Sequence, residues 1–220
     1  MESKKKKPAR RSPSQRTRTY HHGDLATALL EAAEAVLTER GVEGFTLREC
    51  ARRAGVSHAA PAHHFKDARG LLTEVAAVGF ERLTEAQKRA REAEPDLKNL
   101  LVATGTAYVG FALAHPAQFQ VMFQSGLLDH SNERFVTAGR AAFAVYVETY
   151  SAVHGITIKP DAEKVSDPAI LRQWALVHGF ATLAIQGQLG PSHAAAEIGG
   201  LQAFARAVLM DAQKHDQPRK

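Results

Sequence analysis

The sequence predicts an all-α fold in two helical units, a small one of three helices near the N-terminus and a larger one after it. Three observations lead there. From Leu25 to beyond residue 200, apolar residues recur at three- and four-residue intervals, the period of a helix with one face turned to a core. Pro95, Pro116, Pro160, Pro168 and Pro191 stand between the periodic segments, where a residue without an amide proton is tolerated. No stretch alternates at period two for long enough to make a strand, and the short "ITI" lies in a polar loop at 155–167. With 220 residues, 45% of them hydrophobic, the chain can bury a sizeable core.

Residues 1–19 are Lys, Arg, Ser, Pro and Thr without hydrophobic periodicity and are expected to be a disordered arm. Lys4, Lys5, Lys6, Lys7, Arg10, Arg11, Arg16 and Arg18 face only Glu2, so the first twenty residues carry +7 and the remaining 200 carry −2. A basic arm on a nearly neutral body suggests a polyanionic partner; the bland alternative is a solubilising tail. No apolar stretch follows the arm, so a secretory leader is not expected. The longest mostly apolar run, read at 174–185, is too short for a bilayer and holds His178. Cys50 is the only cysteine. It reads as a core filler in a chain suited to the cytoplasm.

The first helix runs through Leu25, Leu29, Ala32, Ala33, Val36 and Leu37, with Asp24 near its start and Gly41 placed for a left-handed cap. "TLRE" opens the second: Thr46 and Glu49 have capping-box spacing, hydroxyl to one amide and carboxylate back to the other. Gly55 then permits a sharp reversal. Ala51 is small where two helices should approach, and Val56 and Phe65 would pin a third helix in place. Helix, glycine turn, helix is a helix-turn-helix. Pro61 admits two placements of the third helix. Either Ser57 caps it and one internal amide bond is lost, or it begins at Ala60 with Pro61 in its tolerated first turn. Further helices are expected at 68–92, 96–114, 116–124, 131–154, 168–188 and 193–213. The chain thus divides into an arm (1–19), a helix-turn-helix unit (20–67), a larger helical unit (68–213) and a tail (214–220).

The stretch "GVSHAAPAHHF" (55–65) holds three histidines, His58, His63 and His64. Metal ligands on one helix face want i, i+4 spacing, whereas these lie five, six and one apart with no Cys, Asp or Glu between them; no metal or other cofactor is expected. A histidine base needs a nucleophile or an orienting carboxylate. Ser57 and Asp67 are near in sequence, but nothing marks a pocket, so an enzyme is not expected. Recognition remains. The second helix of a helix-turn-helix enters the DNA major groove, where His and Ser offer donors and acceptors and small alanines permit close approach. Residues 46–69 carry Arg48, Arg52, Arg53, Lys66 and Arg69 against Glu49 and Asp67, which favours phosphate.

Residues 20–72, "YHHGDLATALLEAAEAVLTERGVEGFTLRECARRAGVSHAAPAHHFKDARGLL", resemble the N-terminal DNA-binding domain of the tetracycline-repressor (TetR) family in helix lengths, capping box, glycine turn and terminal "HF". The resemblance implies a homodimeric one-component repressor with a helical C-terminal domain for dimerisation and a small-molecule ligand. It implies backbone contacts at Thr46, Arg48, His64 and Lys66, and base reading at Ser57, His58, Ala59 and His63. Two positions depart from the family pattern. Ala62 stands where an aromatic is usual and Ala68 where a lysine is common, so two phosphate contacts are missing and the arm is expected to compensate through the minor groove. "WALVHG" and "FALAHPAQFQVMF" resemble the subgroup with a Trp-His-Gly signature.

In the C-terminal unit, Phe80, Phe111, Phe119, Met122, Phe123, Tyr146, Tyr150, Trp174 and His178 are expected to line a ligand pocket, with Tyr108 and Phe180 as further lining candidates, although aromatics at helical spacing are also ordinary core. Trp174 and His178 lie at i, i+4 beside Gly179; their polar nitrogens need partners, either a ligand or the core itself. The small-residue runs "FATLAI" and "AAAEIGGLQAFARAVLM" suit a four-helix dimer interface. The expected partners are therefore double-stranded DNA with an inverted-repeat operator, a second copy of the chain and a small ligand, with no membrane. A DNA-binding protein without ligand response is the alternative.

Overall fold

The structure is a computed structural model and describes residues 22–158, 167–189 and 199–215. Among these residues there are nine α-helices and no strand: α1 (His22–Arg40), α2 (Leu47–Ala54), α3 (Ala60–Phe65), α4 (Ala68–Ala93), α5 (Leu100–Ala114), α6 (Pro116–Met122), α7 (Glu133–His154), α8 (Pro168–Ile185) and α9 (Leu201–His215). Short 3₁₀ turns at Leu97–Asn99 and Ser125–Leu127 precede α5 and follow α6. The expected arm, Pro160, Pro191, residues 193–198 and the end of the tail lie outside the described residues.

Local chemistry sets the helix ends. Asp67, Asn132 and Asp167 accept from the amides of Gly70 at 2.8 Å, Phe135 at 2.9 Å and Ala169 at 2.8 Å, each satisfying an amide with no intrahelical partner. Pro116 and Pro168 fill the first turns of α6 and α8. Helix α4 is the axis of the molecule and packs on α1, α5, α6 and α7. One continuous core runs from Val36, Leu37 and Cys50 in the small unit through Leu71, Val75 and Phe80 of α4 to Val109, Phe119 and Val177. Burial pushes the Cys50 thiol up to about 11, as suits an inert core residue.

The apolar run expected at 174–185 is surpassed by Leu97–Ala114, 18 residues long enough and apolar enough by composition to cross a membrane. Here it is the 3₁₀ turn and α5, half buried between α4, α7, α8 and α9. A helix surrounded on most sides needs no polar stripe.

The small unit is locked to the large one by a polar bridge. Arg82 of α4 donates to Glu34 of α1 at 2.8 Å and to the Gln118 amide oxygen at 3.0 Å. Gln118 of α6, 4% exposed, donates to the Val75 carbonyl at 2.9 Å. Near the α3–α4 junction, Arg69 donates to the Leu128 carbonyl, and Thr73 accepts from the Asp129 amide at 2.9 Å.

Candidate nucleic-acid interface and core cavity

The helix-turn-helix assembles from its caps inward. The Thr46 hydroxyl accepts from the Glu49 amide at 3.2 Å. The other half of the expected capping box is not made. The Glu49 carboxylate turns instead to Arg52 (2.7 and 2.8 Å), Arg53 (3.0 Å) and Arg40 (3.2 Å), because charge-assisted guanidinium bonds outcompete one neutral amide. Arg52 and then Arg53 hold the Glu49 carboxyl at about 2. Arg53 also reaches Glu39 with both terminal nitrogens. Gly55 makes the turn at φ +67°, a region cheap only without a Cβ.

Of the two placements left open by Pro61, the structure adopts the second. Helix α3 begins at Ala60, Pro61 sits in its first turn, and Ser57 contributes only a turn bond from its carbonyl to the Ala60 amide at 3.0 Å. Pro61 is buried and Phe65 half-buried, so these two, at i and i+4, dock the helix. The residues of the helix-turn-helix unit expected to meet DNA, Thr46, Arg48, Ser57, His58, Ala59, His63, His64 and Lys66, are all exposed. The cations are less available than their number implies. Arg52 and Arg53 are paired and Arg69 is bonded to a carbonyl. Arg48 and Lys66 are in no ion pair among the described residues.

Lys66 has an unusual backbone, φ +68° and ψ −60°, with the Asp67 amide bonded to the Phe65 carbonyl at 2.8 Å. This is a strained γ-turn. It swings the Phe65 carbonyl against the first turn of α4, where a Cβ on Gly70 would lie 1.9 Å from that oxygen; only glycine fits. Lys66→Gly is expected to raise stability by about 1 kcal/mol, the relief of roughly 1–3 kcal/mol of strain less the ~0.4–1 kcal/mol of entropy glycine adds to the unfolded chain. Lys66→Ala removes the same charge without that relief. Thermal unfolding of the pair separates strain from charge; equal melting temperatures would show that the turn stores nothing.

The larger unit holds a partly open cavity of about 250 Å³. Of the nine residues expected to line it, Phe80, Phe123, Tyr146 and Trp174 do. Phe111 and Phe119 are core residues beside it, Met122 packs over Gly79 of α4, and Tyr150 stacks on His154 in a separate cluster. His178 is also off the wall. Its Nδ1 lies 2.9 Å from the Tyr108 hydroxyl, and its ring sits 4.5 Å from Phe123 and 5.5 Å from Phe119, centroid to centroid. Burial lowers the His178 pKa. It also pushes the Tyr108 hydroxyl far up, with the Trp174 indole as a second hydrogen-bond partner pulling the other way. Tyr108 thus supplies a partner for His178 Nδ1 from within the core. Leu83, Gln87, Arg140 and Phe143 complete much of the wall and were not anticipated. Gln87 had a usable signal: it continues the apolar stripe of Phe80 and Leu83 by one turn.

Gly179 does not serve close packing among the described residues. A Cβ there would meet nothing within 4 Å. It shares the outer surface of α8 with Leu171 and Leu183, 45% and 44% exposed, while Met210 of α9 is 41% exposed.

A three-helix unit whose third helix faces outward, joined through one long helix to a cavity-bearing bundle, defines a helix-turn-helix regulator of transcription. Two family profiles match, "Bacterial regulatory proteins, tetR family" over residues 29–75 and "Tetracyclin repressor-like, C-terminal domain" over residues 101–210. The chain belongs to the TetR family of DNA-binding transcriptional regulators. A solved structure from Rhodococcus sp. RHA1, of a protein of unknown function, is 35% identical, with a TM-score of 0.69 over 90% of this chain and 98% of that one. A tetR-family regulatory protein from Rhodococcus RHA1 is 21% identical, with a TM-score of 0.62 over 89% and 98%, and shares the fold. Among curated relatives, the regulator CymR of Pseudomonas putida is 36% identical over 83 residues, 38% of this chain and 40% of its own length. BetI of Serratia proteamaculans is 38% identical over 68 residues, 31% and 34%. The chain thus spans well under half the length of the curated relatives it matches.

Proposed function

We propose that the protein is a homodimeric repressor that holds an inverted-repeat operator and releases it when a small molecule enters the cavity. The observation that carries this reading is shared architecture: α4 follows the recognition helix directly and also supplies Phe80, Leu83 and Gln87 to the cavity wall. A ligand that prefers one setting of α4 therefore biases how the recognition helices are held, by as much as its affinities for the two settings differ.

In this reading Ser57, His58, Ala59 and His63 reach base edges, Thr46, Arg48, His64 and Lys66 hold phosphates, and the basic arm supplies further phosphate contact. The outer surface of α8 and α9, with Gly179 open and Leu171, Leu183 and Met210 exposed, is the dimer face: small residues let two helices approach, and the exposed leucines and methionine gain burial. The protein works in the cytoplasm, where DNA is accessible, and catalysis forms no part of the proposal.

Selection of bound DNA from a random pool tests the reading. An inverted repeat with half-sites roughly 34–36 Å apart is expected. Gly179→Arg should dissociate the dimer and leave a single weak half-site. His63→Ala should relax one or two positions per half-site, at about 1–3 kcal/mol each, while Lys66→Ala should weaken all sites alike. Absence of any repeat would sink the dimeric reading, and an operator complex indifferent to every cavity ligand would leave a DNA-binding protein without ligand response.

A further inference from the structure

The polar groups of the cavity wall differ in how they are satisfied. The Tyr108 hydroxyl is taken by His178. Arg140 touches the wall from an exposed position on α7. Gln87 stands apart. It is 2% exposed, lies one turn beyond Leu83 on the cavity side of α4, and its Oε1 has no hydrogen-bond partner among the described residues. Leucine or methionine could fill this place without burying an unsatisfied amide, which is costly wherever water is excluded. The residue is explained if something in the cavity supplies the missing donor.

The geometry points to a ligand class, and it rests on the ligand-released reading above: a small, uncharged, ring-bearing apolar molecule with one hydroxyl or N–H donor, which Gln87 Oε1 accepts. Size follows from volume. A cavity of ~150 Å³ takes benzene, so 250 Å³ admits about ten or eleven non-hydrogen atoms. Charge follows from the wall. Phe80, Leu83, Phe123, Phe143 and Val177 offer an ion nothing in place of its hydration, and Arg140, the charged residue of the wall, reaches it from an exposed position where water already screens it. Specificity follows from the orphan acceptor. A site built to bond a donor rejects the isostere lacking it far more strongly than an apolar wall rejects one methyl group. Because Gln87 belongs to α4, the same bond places the ligand on the helix that leads back to the recognition helix.

The test is equilibrium binding of three probes to the full-length protein and to Gln87→Met. The probes are 2-naphthol, 2-methylnaphthalene, which replaces the hydroxyl by a methyl of similar size, and 2-naphthoate. The parent should prefer 2-naphthol over 2-methylnaphthalene by about tenfold or more. Gln87→Met should lose or reverse that preference while binding 2-methylnaphthalene at least as well, which also reports that it is folded; Gln87→Leu is the second variant. The inference is overturned if the parent does not discriminate, if the preference survives in the variants, if 2-naphthoate binds tightest, or if none of the three binds. Release of the selected operator is read in parallel. Release by these probes without dependence on Gln87 overturns the donor assignment and leaves the ligand-released reading standing. A Gln87-dependent preference without release does the reverse.

Discussion

Removing residues 1–18 should weaken binding to all DNA, operator or not, by about 10²–10³-fold at physiological salt, and should flatten the slope of log K against log[salt] by several units. The expectation comes from where the charges of the body have gone. Of the five cations around the helix-turn-helix, Arg52 and Arg53 are committed to Glu49 and Glu39, and Arg69 to the Leu128 carbonyl. Arg48 and Lys66 are left for phosphate, and Ala62 and Ala68 supply none of the contacts usual there. The arm carries eight cations. Each phosphate neutralised adds about 0.9 to the slope, so four engaged arm residues per protomer change it by about 3.6. The operator preference itself should survive, since the arm carries no base-edge code of its own. An unchanged slope in the shortened protein would show that the arm touches no phosphate.

His178→Ala should cost about 2–4 kcal/mol of stability, a fall in Tm of roughly 4–16 °C for a chain of this size. The ring is packed among Phe119, Phe123 and Trp174, and its loss leaves the buried Tyr108 hydroxyl without this partner. Tyr108→Phe, which removes the hydroxyl and keeps the ring, should cost less, about 1–3 kcal/mol. The pH dependence has a definite sign. Burial holds the His178 pKa below its ordinary value, so the fold favours the neutral ring. That contribution is complete above about pH 6.5, where the unfolded imidazole is neutral too, and is lost as pH falls through the lower folded value because the unfolded chain takes the proton first. His178→Ala should flatten the stability profile in this window. A mutant of parental stability that still binds operator but ignores ligand would instead place His178 in contact with the ligand.

Much of the small unit was legible because its signals are local. Thr46, Gly55 and Phe65 act within a few residues of themselves, and their spacing dictates helix, reversal and helix. Pro61 was ambiguous for the same reason: local chemistry tolerates it in either placement, and burial against the rest of the unit decides. Glu49 misled because a capping box is judged from two residues, whereas Arg40, Arg52 and Arg53 compete for the same carboxylate. In the larger unit, periodicity identified which faces are apolar but not how deep each lies. Phe111, Phe119, Met122 and Tyr150 satisfy the same pattern as Phe80 and Phe123 yet fill core rather than border space. A cavity is a property of several helices at once, and no single stripe encodes it.

The Glu34–Arg82–Gln118 bridge bears on how such a regulator can be tuned. It touches neither the outward face of α3 nor the cavity wall, yet it spans α1, α4 and α6. Under the proposed ligand-released function, input selectivity, output selectivity and the gain between them would therefore reside in separate residues. Replacing Gln118 by a shorter amide, or Arg82 by lysine, alters the stiffness of the joint while leaving both recognition surfaces as they are. Couplings between sites are typically about 1–3 kcal/mol, comparable to one or two hydrogen bonds of this kind. A single substitution in the bridge is thus large enough to turn a switch into a constitutive binder, and small enough to set any dose response between those limits without redesigning what the protein senses or where it sits on DNA.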